Sequence, residues 1–476
     1  MRLCGLLGSE RDTLTTIEKQ KQEYSVKQKM FLVKFLHFVV SVLLFYVAFL
    51  IFRYDGFPQE LDSEFRYNYL VTVAYACLLI FFNNTMNSYL FGYDRIRGLA
   101  FSQFLAQVFS LLLMLVSVCL AWNSIKNPSI FLGLLLFYVV WDCTISYCGN
   151  GLYTKLNPPK RTLLIYRNNR DRRRFGSLAG KPTERLYKIE KEIKFDGGFD
   201  EIRPQLSGFD AIFVAGLNSH CRNGILKYCE EHSIRGFFLP HIGDVIMQGA
   251  EHIQTFDSPV LQVRRKSLSP EYRVIKRALD MVISACGLII LSPIMLVTAI
   301  AIKAYDKGPV FYKQTRLTRN EKEFEIIKFR SMKVDAEKDG VARLSKGEND
   351  DRITPVGRVI RACRLDELPQ LWNILIGDMS IVGPRPERPE IAEQYYKSMP
   401  EFKLRLQVKA GLTGYAQVYG KYNTDPYEKL EFDLLYINHM SIITDLQLMF
   451  STFSVLFDAD STKGVDGITA INYEND

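Results

Sequence analysis

Two adjacent carboxylates, Asp366 and Glu367, open the segment Leu365–Met379 (LDELPQLWNILIGDM) and are the first residues that could do chemistry. We predict a helix here, with Asp366 as its N-cap, Glu367 in its first turn and an end near Gly377. The dipole of a helix stabilises carboxylates at its N-terminus, and the same end attracts phosphate or a metal–phosphate pair. Most acidic pairs at helix starts are simple caps, so this pair alone does not indicate catalysis.

A stiff turn follows at Gly383–Pro386 (GPRP), with Arg385 between two prolines. Because each proline fixes its own φ angle, the guanidinium is presented from a rigid backbone, which suits the binding of phosphate by a planar fork. The alternative is an exposed arginine in an ordinary turn. Four more cations precede the turn and complete the predicted phosphate-binding set: Lys328, Arg330, Arg358 and Arg361.

Two further clusters are predicted to contact a nucleotide or to form loops beside it. The first, Gly308–Arg316 (GPVFYKQTR), contains Gln314 and Arg316. The second, Ala410–Gly420 (AGLTGYAQVYG), places Gln417 among glycines, in a pattern that suits a loop lying against a substrate. Turn formation alone is the alternative explanation for these glycines.

The order of these clusters along the chain indicates a class of reaction. They follow a long apolar segment that is predicted to enter the membrane. A carboxylate pair, a rigid arginine and several cations beside such a segment predict phosphoryl-group chemistry on a lipid at the bilayer surface. Mg²⁺ is the ion expected with carboxylates and phosphates, and Asp366 and Glu367 are its predicted protein ligands.

The first third of the chain is apolar and is predicted to span a membrane. It contains four apolar runs: Met30–Phe52, Tyr67–Phe82, Ala100–Trp122 and Ile130–Tyr147. The length of each run is close to what a bilayer requires, about 20 residues, and the second run is the shortest. We therefore predict a tail at residues 1–29 and a four-helix bundle at residues 30–150. The tail and the segments after the second and fourth runs are basic, so both ends of the bundle are predicted to face the cytoplasm.

A fifth apolar run, Met281–Ile302, is long enough to span, but basic residues on both flanks argue against crossing. Ser292 and Pro293 lie near its middle, where a proline kinks a helix and a serine can satisfy the carbonyl that the proline frees. We predict a re-entrant helix, at about 279–303, that breaks at this pair and returns to the cytoplasmic side. The alternative is a kinked helix that crosses the membrane.

Residues 160–265, between the bundle and this run, alternate strand-like and helix-like patterns. Buried parallel strands are predicted at Thr162–Tyr166, Asp210–Ala215 and Gly236–Leu239, with a helix at Cys221–His232. Such alternation predicts a degenerate Rossmann-like α/β domain. The turn after the first strand lacks the glycines of a dinucleotide site, so a spacer or oligomerisation role is favoured over nucleotide binding.

The overall composition limits the partners of the chain. Its 476 residues exceed one compact core and carry a formal charge of +8, which suits an anionic membrane surface or phosphate-bearing substrates. No nucleic-acid motif is present, and no nucleic-acid partner is expected. The nine cysteines contain no CxxC pair, so neither disulfides nor zinc is expected. The polar stretch Met1–Lys29 is not typical of a cleavable signal peptide.

Several motifs occur together in the C-terminal part: KRxxD at Lys276–Asp280, KFRSM at Lys328–Met332, LDELPQLWNIL with GDMS and VGPRPE, and GLTG with AQV. In type and order they resemble the bacterial sugar transferase family, the monotopic phosphoglycosyl transferases. The resemblance extends over about Tyr272–Val455. The four-helix bundle and the middle α/β domain resemble the long branch of that family, which initiates capsule, O-antigen or exopolysaccharide synthesis.

The resemblance implies a multi-pass enzyme of the bacterial inner membrane, with a cytoplasmic catalytic domain at residues 270–476. It implies transfer of a hexose-1-phosphate from a UDP-sugar to undecaprenyl phosphate, with release of UMP, Mg²⁺ as cofactor and a homodimer. Asp366 matches the aspartate that attacks the β-phosphate and forms a covalent phosphosugar intermediate, and Glu367 matches its partner carboxylate, for metal or proton handling. Arg385 matches the arginine of the family's PRP turn, and Ser292-Pro293 matches its helix-breaking pair.

Two other classes of protein stay open from the residues alone. A membrane scaffold or sensor that regulates polysaccharide assembly would not need Asp366 or Arg385. A polytopic transferase or transporter would carry its site among charged residues inside the spans, where we interpret Lys34, His37 and Asp142 as interfacial or paired. No residue pattern discriminates the sugar, and the long branch favours glucose or galactose over N-acetylated sugars.

Overall fold

The computed structural model describes residues 2–54, 64–121, 129–176, 182–253, 258–266, 268–333, 352–420 and 425–456. The chain forms two compact units, Met1–Leu239 and Pro240–Asp476. Their boundary lies earlier than residue 265, where the sequence analysis ends the middle domain. The difference arises because Ile242 and Val245, on a short helix after the boundary, are buried in the core of the second unit.

The first unit begins with four apolar helices: α1 (Arg2–Tyr54), α2 (Glu64–Thr85), α3 (Ile96–Ala121) and α4 (Ser129–Leu156). By length and composition α1, α3 and α4 could each cross a membrane, and among the described residues α2 does not meet the same measure. Phe45, Tyr75 and Tyr138 are buried between the helices, whereas leucine and valine side chains cover the outer surface. The predicted helices are confirmed, and the second span stays a prediction.

A polar group lies inside this bundle. His37 on α1 and Asp142 on α4 are both buried, and Nε2 of the histidine lies 2.9 Å from Oδ1 of the aspartate. Gln107 of α3 donates to the same carboxylate oxygen at 3.1 Å, and the Tyr89 hydroxyl lies 2.7 Å from the other histidine nitrogen. The interpretation of His37 and Asp142 as paired is confirmed, and such pairing stabilises a charge buried in a membrane helix.

The first unit continues as a parallel α/β region. Its four strands follow the order β2-β1-β3-β4, and every neighbouring pair is parallel. The elements are β1 (Lys160–Tyr166), α5 (Asn169–Gly176), β2 (Tyr187–Lys194), α6 (Phe199–Ile202), β3 (Ala211–Ala215), α7 (Ser219–Glu231) and β4 (Arg235–Phe238). The predicted strands correspond to β1, β3 and β4 and the predicted helix to α7. The Rossmann-like type stays a prediction, because this order is that of flavodoxin-like folds, whereas the classic Rossmann order begins 3-2-1-4.

In the described part of the second unit, short strands pair in twos: β5–β6 and β7–β8 are antiparallel and β9–β10 are parallel. Its elements are α8 (Ile242–Gln248), β5 (Glu251–Ile253), β6 (Val260–Gln262), α9 (Pro270–Asp306), β7 (Phe311–Leu317), β8 (Glu323–Phe329), α10 (Pro355–Ala362), α11 (Gln370–Ile376), β9 (Ser380–Val382), α12 (Pro389–Ser398), β10 (Gly411–Thr413), α13 (Tyr415–Val418), α14 (Pro426–Asn438) and α15 (Ile442–Leu456). Ile374 of α11 and Val382 of β9 are buried in its core, which anchors the two elements that flank the candidate residues.

Helix α9 corresponds to the predicted re-entrant run, but it is continuous through Ser292 and Pro293. Because Pro293 has no N–H, the carbonyl of Ile289 loses its helical partner. The Ser292 hydroxyl donates a 2.7 Å hydrogen bond to that carbonyl instead. The predicted role of the serine is confirmed, whereas the predicted break is corrected, because this bond replaces the missing one within a continuous helix. The return of the chain to the same side stays a prediction.

Both halves of α9 contact the rest of the second unit. Before the proline, Arg277 donates to two carbonyls at the end of α11, at 2.7 and 2.8 Å. After it, Ile302 is buried against apolar side chains of β8 and α10. Between these contacts Ile289, Ile290 and Val297 are exposed. The helix therefore has an apolar face in its middle and anchoring contacts at both ends.

Candidate active site

The carboxylate pair lies in a 3₁₀ turn, Leu365–Glu367, that precedes α11. The prediction of Asp366 as an N-cap is wrong: Pro369 stands at the start of α11, and no side chain caps that helix. The short i→i+3 bonds of the turn bring the chain to the proline, which needs no partner for an N–H. Gly377 ends the helix with a φ of 98°, as predicted. Neither carboxylate is engaged in capping, so both are left for other contacts.

Glu367 is held by two cations. Its Oε1 accepts a hydrogen bond from Nη2 of Arg385 at 2.9 Å and lies 3.5 Å from Nζ of Lys328. Burial alone would raise the pKa of this carboxyl, but Arg385 and Lys328 outweigh burial and hold the pKa of Glu367 well below its usual range. Glu367 therefore stays ionised near neutral pH and acts as an anchor for cations rather than as a proton carrier.

Asp366 differs from its neighbour in electrostatics. Burial and the negative charge of Glu367 raise the pKa of Asp366 to about 6, although Lys328, Arg361 and Arg385 act in the opposite direction. At neutral pH Asp366 is mostly ionised, yet it is less stabilised as an anion than an ordinary aspartate. A carboxylate in this state is the more reactive nucleophile or base of the pair.

Lys328 is positioned by the hairpin β7–β8, and its burial lowers its pKa while Glu367 acts in the opposite direction. Asn373 of α11 ties this hairpin to the helix after the carboxylate pair. Its side chain accepts from the N–H of Ile327 at 3.0 Å and donates to the carbonyl of Glu325 at 2.8 Å. Sequence reasoning missed Asn373, although the LPQLWN motif contains it. Its amide fixes β8, and so Lys328, relative to the turn.

Arg316 contacts the Gly-Pro-Arg-Pro turn. Its Nη1 donates to the carbonyl of Pro386 at 3.0 Å, and its Nη2 donates to Oε1 of Gln314 at 2.7 Å. Burial lowers the pKa of Arg316 to about 10, with Glu387 opposing that effect and Arg385 adding to it. A buried cation beside another cation is stabilised by a bound anion. Arg316, which was predicted to contact a nucleotide or a loop, therefore lies in the candidate site and contacts a loop.

A small open pocket lies among these groups. It is lined by Arg316, Ile326, Lys328, Glu367, Gln370, Arg385, Pro386, Gly411 and Leu412. Gln370 is only 3% exposed, and its amide nitrogen has no hydrogen-bond partner among the described residues. Sequence reasoning gave it no role. With three cations and one ionised carboxylate, the lining is positive overall and suits a substrate that carries phosphates.

Asp366 is next to the lining residue Glu367 in the chain but is not itself part of the lining, and neither are Gln314 and the remaining predicted residues. Arg330 pairs with Asp306 at the end of α9, and Arg358 is exposed on α10. Arg361 of the same helix acts on Asp366 through its charge. Gln417 lies on α13, where its buried amide has no hydrogen-bond partner in the described part of the chain. The structure thus groups part of the predicted set around the carboxylate pair.

The acidic residues of the site fit the predicted Mg²⁺. Among the described residues, no group of three or more histidine, cysteine, aspartate or glutamate side chains could hold a metal by itself. Mg²⁺ is usually bound by one or two carboxylates and takes its other ligands from substrate phosphates and water. Asp366 and Glu367 supply such a pair.

The long apolar helices define a membrane protein, and the pocket with its carboxylate pair and cations defines a domain equipped for phosphate chemistry. The profile of the Bacterial sugar transferase family matches residues 271–459. The chain is also 39% identical over 191 residues to the UDP-glucose:undecaprenyl-phosphate glucose-1-phosphate transferase of Caulobacter vibrioides, covering 39% of this chain and 71% of that protein. The chain belongs to the bacterial sugar transferase family.

Two longer relatives match the same part of the chain. The UDP-glucose:undecaprenyl-phosphate glucose-1-phosphate transferase of Klebsiella pneumoniae is 42% identical over 211 residues, covering 43% of this chain and 43% of that protein. The UDP-N-acetylgalactosamine-undecaprenyl-phosphate N-acetylgalactosaminephosphotransferase of Aeromonas hydrophila is 39% identical over 191 residues, covering 40% and 45%. The match therefore spans less than half the length of these two relatives.

Proposed function

We propose that this protein transfers a hexose-1-phosphate from a UDP-sugar to undecaprenyl phosphate and releases UMP, as the initiating step of capsule, exopolysaccharide or O-antigen synthesis. The observation that carries the proposal is the reactive carboxylate of Asp366 next to a pocket lined by cations. The names of the relatives point to nucleotide sugars and undecaprenyl phosphate as substrate classes. Because those names differ in the sugar, the proposal specifies a UDP-hexose rather than one sugar.

The reaction proceeds by two displacements at one phosphorus atom. A carboxylate oxygen of Asp366 attacks the β-phosphorus of the UDP-sugar, and the bond from that phosphorus to the bridging oxygen breaks. UMP leaves with the bridging oxygen, and the phosphosugar stays on Asp366. An oxygen of undecaprenyl phosphate then attacks the same phosphorus, the bond to Asp366 breaks, and the free carboxylate is restored. Covalent catalysis of this kind replaces one difficult displacement with two easier ones.

The cations of the pocket hold the diphosphate for both displacements. Arg385 and Lys328 are fixed by Glu367, so their positive charges are in place before the substrate binds. Charges positioned in advance stabilise the developing negative charge without rearrangement during the reaction. Arg316 lines the same pocket and adds a third positive charge. Glu367 thus acts by placing cations, while Asp366 forms and breaks the covalent bond.

Mg²⁺ is part of the proposal, with Asp366 and Glu367 as the residues that would hold it. When bound, the ion would neutralise part of the negative charge of the diphosphate. Arg385 and Lys328 both contact Oε1 of Glu367, and a carboxylate that stays ionised can bind a further cation through its second oxygen.

We further propose that α9 is re-entrant, so that the second unit lies on the cytoplasmic side. Contacts of both ends of α9 with this unit support the proposal, because a compact unit on one side of the bilayer cannot contact both ends of a helix that crosses it. Ser292 and Pro293 supply the place for a bend within the continuous helix.

Thiol labelling in intact spheroplasts tests this orientation. One variant keeps Cys363, which is exposed after α9, as its single cysteine, and a matched control carries Ser129→Cys, at the predicted outer end of α4, as its single cysteine. A membrane-impermeant maleimide is expected to label the control at once and Cys363 only after permeabilisation, since the bilayer excludes the reagent. Labelling of Cys363 in intact spheroplasts would show that the second unit lies outside.

Turnover of the purified full chain tests the reaction. The protein is incubated with Mg²⁺, undecaprenyl phosphate and UDP-glucose, UDP-galactose, UDP-N-acetylglucosamine or UDP-N-acetylgalactosamine, and UMP is measured. At least one donor is expected to give continuous UMP release, and without the lipid release is expected to stop after one equivalent, because the intermediate has no acceptor. If no donor gives lipid-dependent UMP, the proposed function is rejected.

A further inference from the structure

The backbone of the Gly-Pro-Arg-Pro turn is held through its carbonyl groups. Three of its carbonyls accept hydrogen bonds from outside the turn: Pro384 from the N–H of Gly411 (2.9 Å), Arg385 from Nη2 of Arg405 (2.8 Å) and Pro386 from Nη1 of Arg316 (3.0 Å). The carbonyl of the next residue, Glu387, accepts from the N–H of Leu317 (2.9 Å). Gly383 donates its N–H to the carbonyl of Thr413 at 2.8 Å, but the two prolines have no N–H, so at these positions the backbone is held through its carbonyls. The donor at Arg385 itself is a side chain, Arg405.

Arg405 is a buried cation with three engaged groups. It lies in the 3₁₀ segment Pro400–Gln407 and is 2% exposed. Its Nε donates to Oδ2 of Asp433 at 2.8 Å, and its Nη1 lies 3.6 Å from Oε1 of Glu387. The remaining donor, Nη2, reaches the carbonyl of Arg385. A guanidinium is suited to such a position, because its planar fork directs several donors at once.

We infer that Arg405 is a positioning residue for Arg385, and that Asp433 orients Arg405 for this purpose. The inference rests on the proposed function, in which Arg385 binds a substrate phosphate. Arg405 does not line the pocket, so it acts through the backbone of Arg385. Because misplacement of a binding group by about 1 Å can lower a rate by about 100-fold, fixation of this carbonyl has a direct effect on catalysis.

The Arg405→Lys variant distinguishes a positioning role of Arg405 from simple charge pairing. Arg405→Lys keeps the positive charge and one donor for Asp433, but a single ammonium group cannot also reach the carbonyl of Arg385 as the second arm of a guanidinium does. If Arg405 only stabilised the fold through its ion pair, the lysine variant would retain that function. A positioning role predicts that this variant loses activity through Arg385.

A double-mutant cycle with Arg385→Ala measures this coupling. Burial raises the pKa of Asp433 to about 6, with Arg405 opposing the shift, so assays at pH 8 keep the pair charged. Arg405→Lys is expected to lower kcat/KM for the UDP-sugar by about 10- to 100-fold in the wild-type background. In the Arg385→Ala background the same change is expected to lower it by less than about twofold, because the positioned group is already absent.

Controls distinguish positioning from loss of fold. Asp445→Asn disturbs another buried pair of the second unit, in which Lys276 Nζ lies 2.8 Å from the carboxylate, and it removes no donor to the carbonyls of residues 384–387. Its effect on kcat/KM is expected to be the same factor in both backgrounds. Asp433→Asn, which keeps an acceptor for Nε of Arg405, is the second test variant if Arg405→Lys does not fold, and it is expected to show the same non-additivity with a smaller loss.

The outcomes separate the inference from the proposed function. Equal factors for Arg405→Lys and Asp433→Asn in the two backgrounds, or an Arg385→Ala variant with unchanged kcat/KM, would overturn the positioning role while wild-type UMP release still supports the reaction. Wild-type protein without UMP release would overturn both. A loss confined to the wild-type background supports Arg405 as the residue that sets the position of Arg385.

Discussion

Asp366→Asn is expected to abolish the covalent phosphosugar intermediate and to lower UMP release by at least about 10³-fold with every UDP-sugar that the wild type accepts. Asparagine has nearly the same size as aspartate, so the 3₁₀ turn Leu365–Glu367 is retained, but its amide has no anionic oxygen to attack phosphorus. The assay is made at pH 8, because the pKa of Asp366 is about 6 and the wild-type carboxylate is then ionised. UMP release and protein-bound label from a UDP-sugar labelled in the sugar are measured together.

A matched control for this substitution lies in the same motif. Asp378 follows the end of α11 and is also partly exposed, but its charge acts on Lys409, whereas that of Asp366 acts on Lys328 of the pocket. Asp378→Asn is therefore expected to keep near-normal UMP release and a normal amount of labelled protein. If Asp366→Asn also keeps near-normal turnover, the nucleophile is another residue, and the alternative of a scaffold without catalysis regains support.

Local sequence signals predicted the helix end and the proline contact near the site, because each of these features depends on residues only a few positions apart. Gly377 ends its helix in the left-handed conformation, and the Ser292 hydroxyl satisfies the carbonyl that Pro293 frees. The N-cap prediction for Asp366 failed for a related reason. The capping pattern describes a helix that begins at the acidic pair, whereas the chain inserts a 3₁₀ turn and begins the helix after Pro369.

Local sequence patterns do not predict the contacts that organise the pocket. Glu367 and Arg385 are far apart in sequence, and their 2.9 Å contact arises because α11 and β9 pack in one core. The KFRSM motif shows the same limit. Lys328 lies on β8 and contacts Glu367, whereas Arg330 follows the end of that strand and pairs with Asp306. Side chains alternate between the two faces of a strand only as far as the strand extends, so the direction of Arg330 does not follow from that of Lys328. Two cations of one motif therefore have different partners.

Two residues that organise the site, Asn373 and Arg405, had no role predicted from the sequence. Asn373 is an amide on a mostly apolar helix, and Arg405 lies between Lys403 and Lys409, outside the recognised motifs. Their roles depend on burial and on the backbone groups that they reach, such as the Glu325 and Arg385 carbonyls. A buried polar side chain requires hydrogen-bond partners, but the sequence does not specify which backbone groups supply them.

Asp280→Leu is expected to lower the free energy of unfolding of the second unit by about 3 kcal/mol. Asp280 lies on α9 and is 6% exposed. Its Oδ1 accepts from the N–H of Ile381 at 3.0 Å, and its Oδ2 accepts from the Ser380 hydroxyl at 2.8 Å. Leucine has a similar size but offers no acceptor, so the buried N–H of Ile381 is left without a partner. The midpoint of thermal unfolding in detergent is expected to fall by roughly 6–12 °C.

Asp280→Asn separates the hydrogen bonds from the charge. The asparagine oxygen can still accept from Ile381, and its amide can donate to the oxygen of Ser380, so both neighbours keep a partner and the midpoint is expected to stay within a few degrees of the wild type. Because Ser380 and Ile381 belong to β9, which leads into the Gly-Pro-Arg-Pro turn, these bonds join the membrane-associated helix to the strand that carries Arg385. Equal midpoints for the leucine and asparagine variants would show that Asp280 does not form this link.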